Sequence, residues 1–176
     1  MSMDHISKTK ERMQVLSKAK PTTNTVISAL LWSAITRTRA HRDNSIAAHN
    51  ISKLGMAVNG RKGLGSDFWS PQSPYFGNTI IYSLSTASFT DLTTSDEAEE
   101  EALSKICEAI AASVSSSTID RQYTSEIYSL ASSMADPKTL RMGLDPFGSR
   151  ILLSIAGLVW TCTRWTLVSS SKLRTS

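Results

Sequence analysis

The sequence predicts an α/β protein, a mixed sheet with helices packed against it. Three observations carry this. An apolar stripe recurs at helical spacing over about 24–39. Two strand-like segments follow it, one alternating and one rich in β-branched and aromatic residues. Two further helical segments then precede a short apolar run, Ile151-Leu152-Leu153, that reads as a third strand.

Each element has a local reason. Residues 7–19 are polar, with Met13 and Leu16 spaced for one face, and read as a short surface helix. Pro21 and the threonines after it punctuate the chain. The helix over 24–39 carries Ile27, Leu30, Leu31, Ala34 and Ile35 as its apolar stripe, leaving Trp32 at its surface. Arg37, Arg39 and Arg42 charge its C-terminal end, where cations suit the helix dipole. Leu54, Met56 and Val58 alternate with Lys53, Gly55 and Ala57, as in a half-buried strand, and Asn59-Gly60 signals a turn.

The segment from Arg61 to Asn78 is rich in Gly, Ser and Pro and shows no regular period, so it is read as a long loop that lines a site or packs over a face. Thr79 to Leu84, TIIYSL, reads as a strand. Thr94-Ser95-Asp96-Glu97 has the pattern of a capping box. The helix it opens places Leu103, Ile106, Cys107, Ile110, Ala111 and Val114 on one face, and a helix over 121–135 carries Tyr123, Ile127, Leu130, Ala131 and Met134. Three strands make a thin sheet for this much apolar helix surface, so further strands are expected outside this chain.

Composition narrows the class. With 176 residues, 40% hydrophobic and 19% charged, there is room for one domain with a core, or for part of a larger one. A formal charge of +4 is compatible with anionic partners without diagnosing nucleic-acid binding. Two cysteines, Cys107 and Cys162, exclude a disulfide scaffold. No window is apolar enough for a membrane span, and the first residues lack the apolar core of a signal peptide, so the cytoplasm is the expected compartment. Asn50-Ile51-Ser52 matches a glycosylation acceptor that this compartment leaves idle, and Ser171-Lys172-Leu173 is internal and so no peroxisomal address.

No complete active site is legible. His5, His41 and His49 form no metal pattern with Cys, Asp or Glu, and no metal ligands are expected. His41 and Asp43 sit in a polar stretch that reads as surface, and His5 lies in an N-terminus expected to fray. Gly60-Arg61-Lys62-Gly63-Leu64-Gly65 lacks the Gly-Lys-Ser/Thr ending of a phosphate loop and reads as a basic turn. The acids Glu97, Glu99, Glu100 and Glu101 read as a solvated helix start rather than paired catalytic carboxylates. Asp145-Pro146-Phe147-Gly148 is not the kinase Asp-Phe-Gly, because no glycine-rich ATP loop or catalytic loop accompanies it.

Three ordered segments nevertheless resemble one family. Thr22-Thr23-Asn24-Thr25-Val26-Ile27-Ser28-Ala29-Leu30-Leu31-Trp32 is followed by Ala57-Val58-Asn59-Gly60-Arg61-Lys62 and then by Pro74-Tyr75-Phe76-Gly77-Asn78. Together they resemble the BAHD-type acyl-CoA-dependent acyltransferases, with the flavour of the fungal branch that includes trichothecene 3-O-acetyltransferase-like enzymes. The resemblance covers about residues 20–155. Thr25 stands where the family often has Asp.

The resemblance implies part of the second of two similar α/β domains, with acyl-CoA and a small-molecule alcohol bound between them. It implies acyl-CoA, in the acetyl form for this branch's enzymes, as co-substrate rather than as a bound cofactor. The family's catalytic base is the His of a His-x-x-x-Asp motif. None occurs here, since Thr9, Ser45 and Lys53 stand four residues after His5, His41 and His49. The resemblance therefore assigns no catalytic residue to this chain and expects it to be inactive alone. It leaves the CoA-contacting residues unknown, with the 61–78 loop and the Arg37/Arg39 helix end as candidates for a channel wall.

The C-terminal stretch departs from the family's Ser-x-Trp followed by Asp-Phe-Gly-Trp-Gly. Combining the third base of each codon with the first two of the next, Trp160-Thr161 and Trp165-Thr166 each force Asp. Thr166-Leu167 allows Phe and Leu167-Val168 allows Gly. The family ending is thus legible in a shifted frame from near Ser154. The expected organisation is a polar helix or tail over 1–20, a partial acyltransferase domain over 21–154, and an aberrant tail over 155–176 lying loosely or unpaired at an edge. A non-catalytic α/β binding or interaction module is the competing reading. It predicts a closed core, whereas a partial domain predicts an apolar face open to solvent.

Overall fold

A computed structural model gives the fold and describes residues 2–42, 51–65, 69–70, 73–74, 79–95, 98–136, 151–155 and 158–161. The chain opens with α1 (Met3–Leu16) and α2 (Thr23–Arg42), then β1 (Ile51–Asn59) and the short α3 (Arg61–Leu64). A small ribbon, β2 (Trp69–Ser70) with β3 (Ser73–Pro74), precedes β4 (Ile80–Ser88) and α4 (Phe89–Thr93). Two longer helices, α5 (Glu99–Ser113) and α6 (Arg121–Ser133), lead to β5 (Ile151–Ile155) and β6 (Leu158–Thr161). The expected α/β class with a mixed sheet is what forms. The main sheet has the order β4-β1-β5-β6, with β1 antiparallel to β4 and parallel to β5, and β5 antiparallel to β6.

The pleat of β1 and β4 sorts their residues to two faces. Ser52, Leu54 and Met56 lie opposite Ala87, Ser85 and Ser83 in register, and this face is covered by helices. The indole Nε1–H of Trp32 on α2 donates to Ser52 Oγ at 2.9 Å. The hydroxyls of Ser113 on α5 and Ser85 on β4 meet at 2.7 Å. Between these layers lies the core, where Val26, Ala29, Trp32, Leu54, Leu92, Cys107 and Ile110 are fully buried. On the other face, Ile51, Ile80 and Leu84 remain 57%, 53% and 43% exposed.

Ion pairs and caps brace the helices. Arg37 donates to the Thr94 carbonyl and to Glu99 Oε1 at 2.7 and 2.6 Å, tying α2 to the end of α4 and the start of α5. Glu108 of α5 accepts from Ser17 Oγ and from the Lys18 backbone N–H, which fixes the chain just after α1. Arg12 of α1 pairs with Glu100.

Several expectations are corrected. In α1 the buried residues are Ile6 and Met13, while Leu16 is half exposed. His5 sits in the first turn of this helix, whose N-cap Ser2 accepts from the His5 N–H, so the N-terminus is held where fraying was expected. Trp32 is wholly buried, not at a helix surface. The capping box does not form with its first threonine: Thr94 ends α4, its N–H bonded to the Thr90 carbonyl, and α5 starts after Ala98 without a side-chain cap. The 61–78 segment contains α3 and the β2–β3 ribbon rather than a structureless loop.

Residues 158–161 are paired with β5 at the sheet edge, where the 155–176 tail was expected to lie unpaired. Leu158-Val159-Trp160-Thr161 is rich in β-branched and aromatic residues, and such a run pairs wherever an edge is offered. Residues 156–157 and 162–176 of that tail, with Asp43, His49, Asp96, Glu97, Tyr75–Asn78 and Asp145–Gly148, lie outside the described residues.

Candidate functional site

Where α2 begins, the sequence Lys20-Pro21-Thr22 makes a helix start. Thr22 is the N-cap: its Oγ1 accepts from the Thr25 N–H at 3.1 Å, and its hydroxyl meets that of Thr25 at 2.9 Å. An acid at position 25 would reach back to the Thr22 N–H to close a capping box, whereas the buried Thr25 hydroxyl bonds the Thr22 hydroxyl instead. Pro21, fully buried, fixes how the chain enters the helix.

The end of β1 comes up beside this helix start. Asn59 Oδ1 accepts from the Arg61 N–H at 3.1 Å, and the Gly60 N–H donates to the Thr79 carbonyl at 2.8 Å. The Asn59-Gly60 turn is therefore real, but it leads into α3 instead of closing a tight hairpin. Gly60 has φ −75°, so its backbone does not require glycine. Space does: a Cβ there would stand 2.5 Å from Ile81 Cδ1 and 3.0 Å from the Thr79 carbonyl oxygen.

Between these two termini lies a cleft of about 360 Å³. Lys20, Thr22 and Asn24 line it from the start of α2, and Met56 to Asn59 from the end of β1. Ala111 and Val114 line it from the end of α5. Met56, Ala57, Val58, Ala111 and Val114 make half of its lining apolar. Its polar lining offers the Lys20 ammonium, the amides of Asn24 and Asn59 and the hydroxyls of Thr22 and Thr25, beside the positive end of a helix dipole. That combination suits a ligand with an anionic end and a flexible, mostly apolar body. Among the described residues the lining includes no His, Asp, Glu or Cys, so these residues can bind and orient but supply no general base.

The residues weighed from sequence fall elsewhere. At 1.5 Å rise per residue, Arg37, Arg39 and His41 lie roughly 20–30 Å along α2 from Thr22. Arg37 is committed to Thr94 and Glu99, and Arg39 is buried. The Arg37/Arg39 end is thus a brace at the far end from the cleft. Of the 61–78 candidates, Arg61 begins α3 two residues after the cleft residue Asn59. Lys20, Asn24 and Asn59 were not singled out as ligand-facing. The available signal was a cation next to a proline and a Thr cap, ahead of a long helix.

Cys107 is fully buried on α5. Burial, with a smaller effect from Glu108, pushes its thiol up to about 12, so it stays protonated and unreactive at neutral pH. Lys105 is held above the ordinary lysine range by its hydrogen bond and ion pair with Glu101. Among the described residues, no group of His, Cys, Asp and Glu could hold a metal ion, and no helix is long and apolar enough to cross a membrane.

No curated protein matches the chain. Residues 1–166 match the Transferase family, a stretch that runs past both ends of the segment carrying the three ordered motifs. With a mixed α/β fold and those motifs in order, the chain belongs to the Transferase family, the BAHD-type acyl-CoA-dependent acyltransferases.

Proposed function

We propose that this chain is part of the second domain of an O-acyltransferase that moves an acetyl group from CoA to a hydroxyl of a small fungal secondary metabolite, of trichothecene 3-O-acetyltransferase type, in the cytoplasm. One half of the chemistry is missing from these 176 residues, which contain no His-x-x-x-Asp. In the complete reaction that His takes the proton of the acceptor hydroxyl. The oxygen attacks the thioester carbonyl, and the CoA thiol leaves with a proton. Alone, the chain carries no base for the first step and is inactive.

The observation that carries this reading is the uneven covering of the sheet. One face is packed under α2 and α5, while Ile51, Ile80 and Leu84 stay exposed on the other. A self-sufficient binding module would bury such a face, and a partial domain leaves it for the missing layer. The cleft at the start of α2 is the proposed wall for CoA, with Lys20 facing a phosphate and Met56, Val58 and Val114 lying along the pantetheine arm. A reading-frame shift near Ser154 accounts for the departure from Asp-Phe-Gly-Trp-Gly.

Sequencing the locus and its transcript on both sides of this frame tests the reading. A continuous frame that encodes His-x-x-x-Asp upstream and restores Asp-Phe-Gly after Ser154 supports a working acyltransferase of which this is a piece. An uncorrectable shift supports the remnant of a disabled gene. An upstream frame without a related half overturns the partial-domain reading. For the cleft, calorimetric titration should detect CoA binding that weakens in Lys20→Ala and with dephospho-CoA. Equal affinity in all three removes Lys20 from the site.

A further inference from the structure

The cation of the cleft does not sit on a regular element. Lys20 belongs to the strap 17–22 that joins α1 to α2, and a lysine on such a connection ordinarily samples many positions. This strap is pinned on both sides of Lys20. Before it, one carboxylate oxygen, Glu108 Oε1, accepts from Ser17 Oγ at 3.1 Å and from the Lys18 backbone N–H at 2.8 Å. The Ser17 N–H in turn donates to the carbonyl of the fully buried Met13 at 2.9 Å. After it, Pro21 is fully buried and Thr22 caps α2. Glu108 lies on α5, three residues before Ala111, which is three before Val114, and both of these line the cleft. One helix thus supplies a wall of the cleft and the tether of its cation.

We infer that Glu108 is a positioning residue of the cleft. By holding Ser17 and Lys18 to α5 it fixes where Lys20 stands, and with that the preference for the phosphate that CoA carries and dephospho-CoA lacks. The inference rests on the acyl-CoA reading of the cleft. Electrostatic sign separates this role from a direct one. A carboxylate near an anion-binding lysine repels the anion, so charge alone makes its removal tighten binding. Tethering makes the opposite demand. Glu108→Ala releases Ser17 and Lys18, and the ligand must then order the strap at the expense of affinity. Glu108→Gln removes the charge but keeps an amide oxygen to accept from the same two donors, so binding is retained or tightened.

Calorimetric titration with CoA and with dephospho-CoA tests it. The wild-type chain should prefer CoA. In Glu108→Ala the affinity for CoA should fall about fivefold, the scale of coupling between residues that share a network, while that for dephospho-CoA barely changes. Glu108→Gln should bind CoA as the wild type does or more tightly. In a Lys20→Ala background, Glu108→Ala should have no further effect. A residue that merely stabilises the fold lowers the urea midpoint and leaves the ratio of the two affinities alone. If Glu108→Ala fails to fold, Ser17→Ala, which removes one of the two bonds, should shift that ratio in the same direction by less. A wild-type ratio that survives in the tether variant, tighter CoA binding in both Glu108 variants, a Glu108→Gln as weak as Glu108→Ala, or a further loss in the Lys20→Ala background overturns this inference alone. A wild type that binds neither ligand, or both equally, overturns the assignment of Lys20 to the CoA phosphate and this inference with it.

Discussion

Gly60 shows how a motif residue can be structural. It lies between the end of β1 and the start of β4, and the Ile81 side chain fills the space where a Cβ would stand. Gly60→Ala must push Ile81 aside and strain the 2.8 Å bond to the Thr79 carbonyl. The expected cost is about 1–3 kcal/mol, the usual range for overpacking, read as a lowered midpoint of urea unfolding. An unchanged midpoint would mean that the β1–β4 junction relaxes freely. Cys107 makes a second residue-scale case. With its thiol pushed up to about 12, peptide mapping after iodoacetamide treatment of the folded chain at pH 8 should find Cys107 unmodified, and labelled once urea exposes it. The sign of its linkage follows. Above the ordinary thiol range the unfolded chain loses this proton and the folded chain keeps it, so this group makes stability fall as pH rises towards 12.

At the scale of an element, α2 separates what was legible in the sequence from what was not. Its existence and approximate span follow from its periodicity, and the helix runs Thr23–Arg42 against an expected 24–39. Its orientation does not follow. Ile27, Leu30, Leu31, Ala34 and Ile35 form the obvious stripe, yet the buried set is Thr25, Val26, Ser28, Ala29, Trp32, Ser33, Thr36 and Arg39, roughly half a turn away. Trp32 reaches the sheet at Ser52, and α2 packs against α1, α4 and α5, so that Leu30 and Ile35 of the stripe are partly buried as well. A helix apolar on both sides has no single face for a pattern to reveal. In consequence Trp32→Ala should cost about 3–5 kcal/mol, and Leu31→Ala well under half of that, by thermal or urea unfolding. Equal costs would return the core to the sequence-defined stripe. The cleft was illegible for a related reason: Lys20, Asn59 and Val114 are far apart in the chain and meet only when β1 rises beside the start of α2. The ordered motifs, by contrast, are each a contiguous run of the chain, which is why the family could be read before the site.

Across the whole molecule, the two faces of one sheet make opposite demands on chemically similar side chains. Leu54 and Ile51 belong to the same strand, three residues apart, and so to opposite faces. Leu54 is fully buried beneath the helices, and Ile51 is 57% exposed. Leu54→Ala should therefore cost about 2–5 kcal/mol through the cavity it leaves. Ile51→Thr should change stability by less than about 0.5 kcal/mol, because little is buried there to lose. The same Ile51→Thr chain should bind less of a hydrophobic dye than the wild type, since the dye reports apolar surface open to water. Urea unfolding and dye fluorescence on the two variants suffice for the comparison. A large loss of stability in Ile51→Thr would show that this face is already covered and would remove the observation on which the partial-domain reading rests. A small loss together with weaker dye binding is the signature of a sheet finished on one side and waiting for a layer on the other.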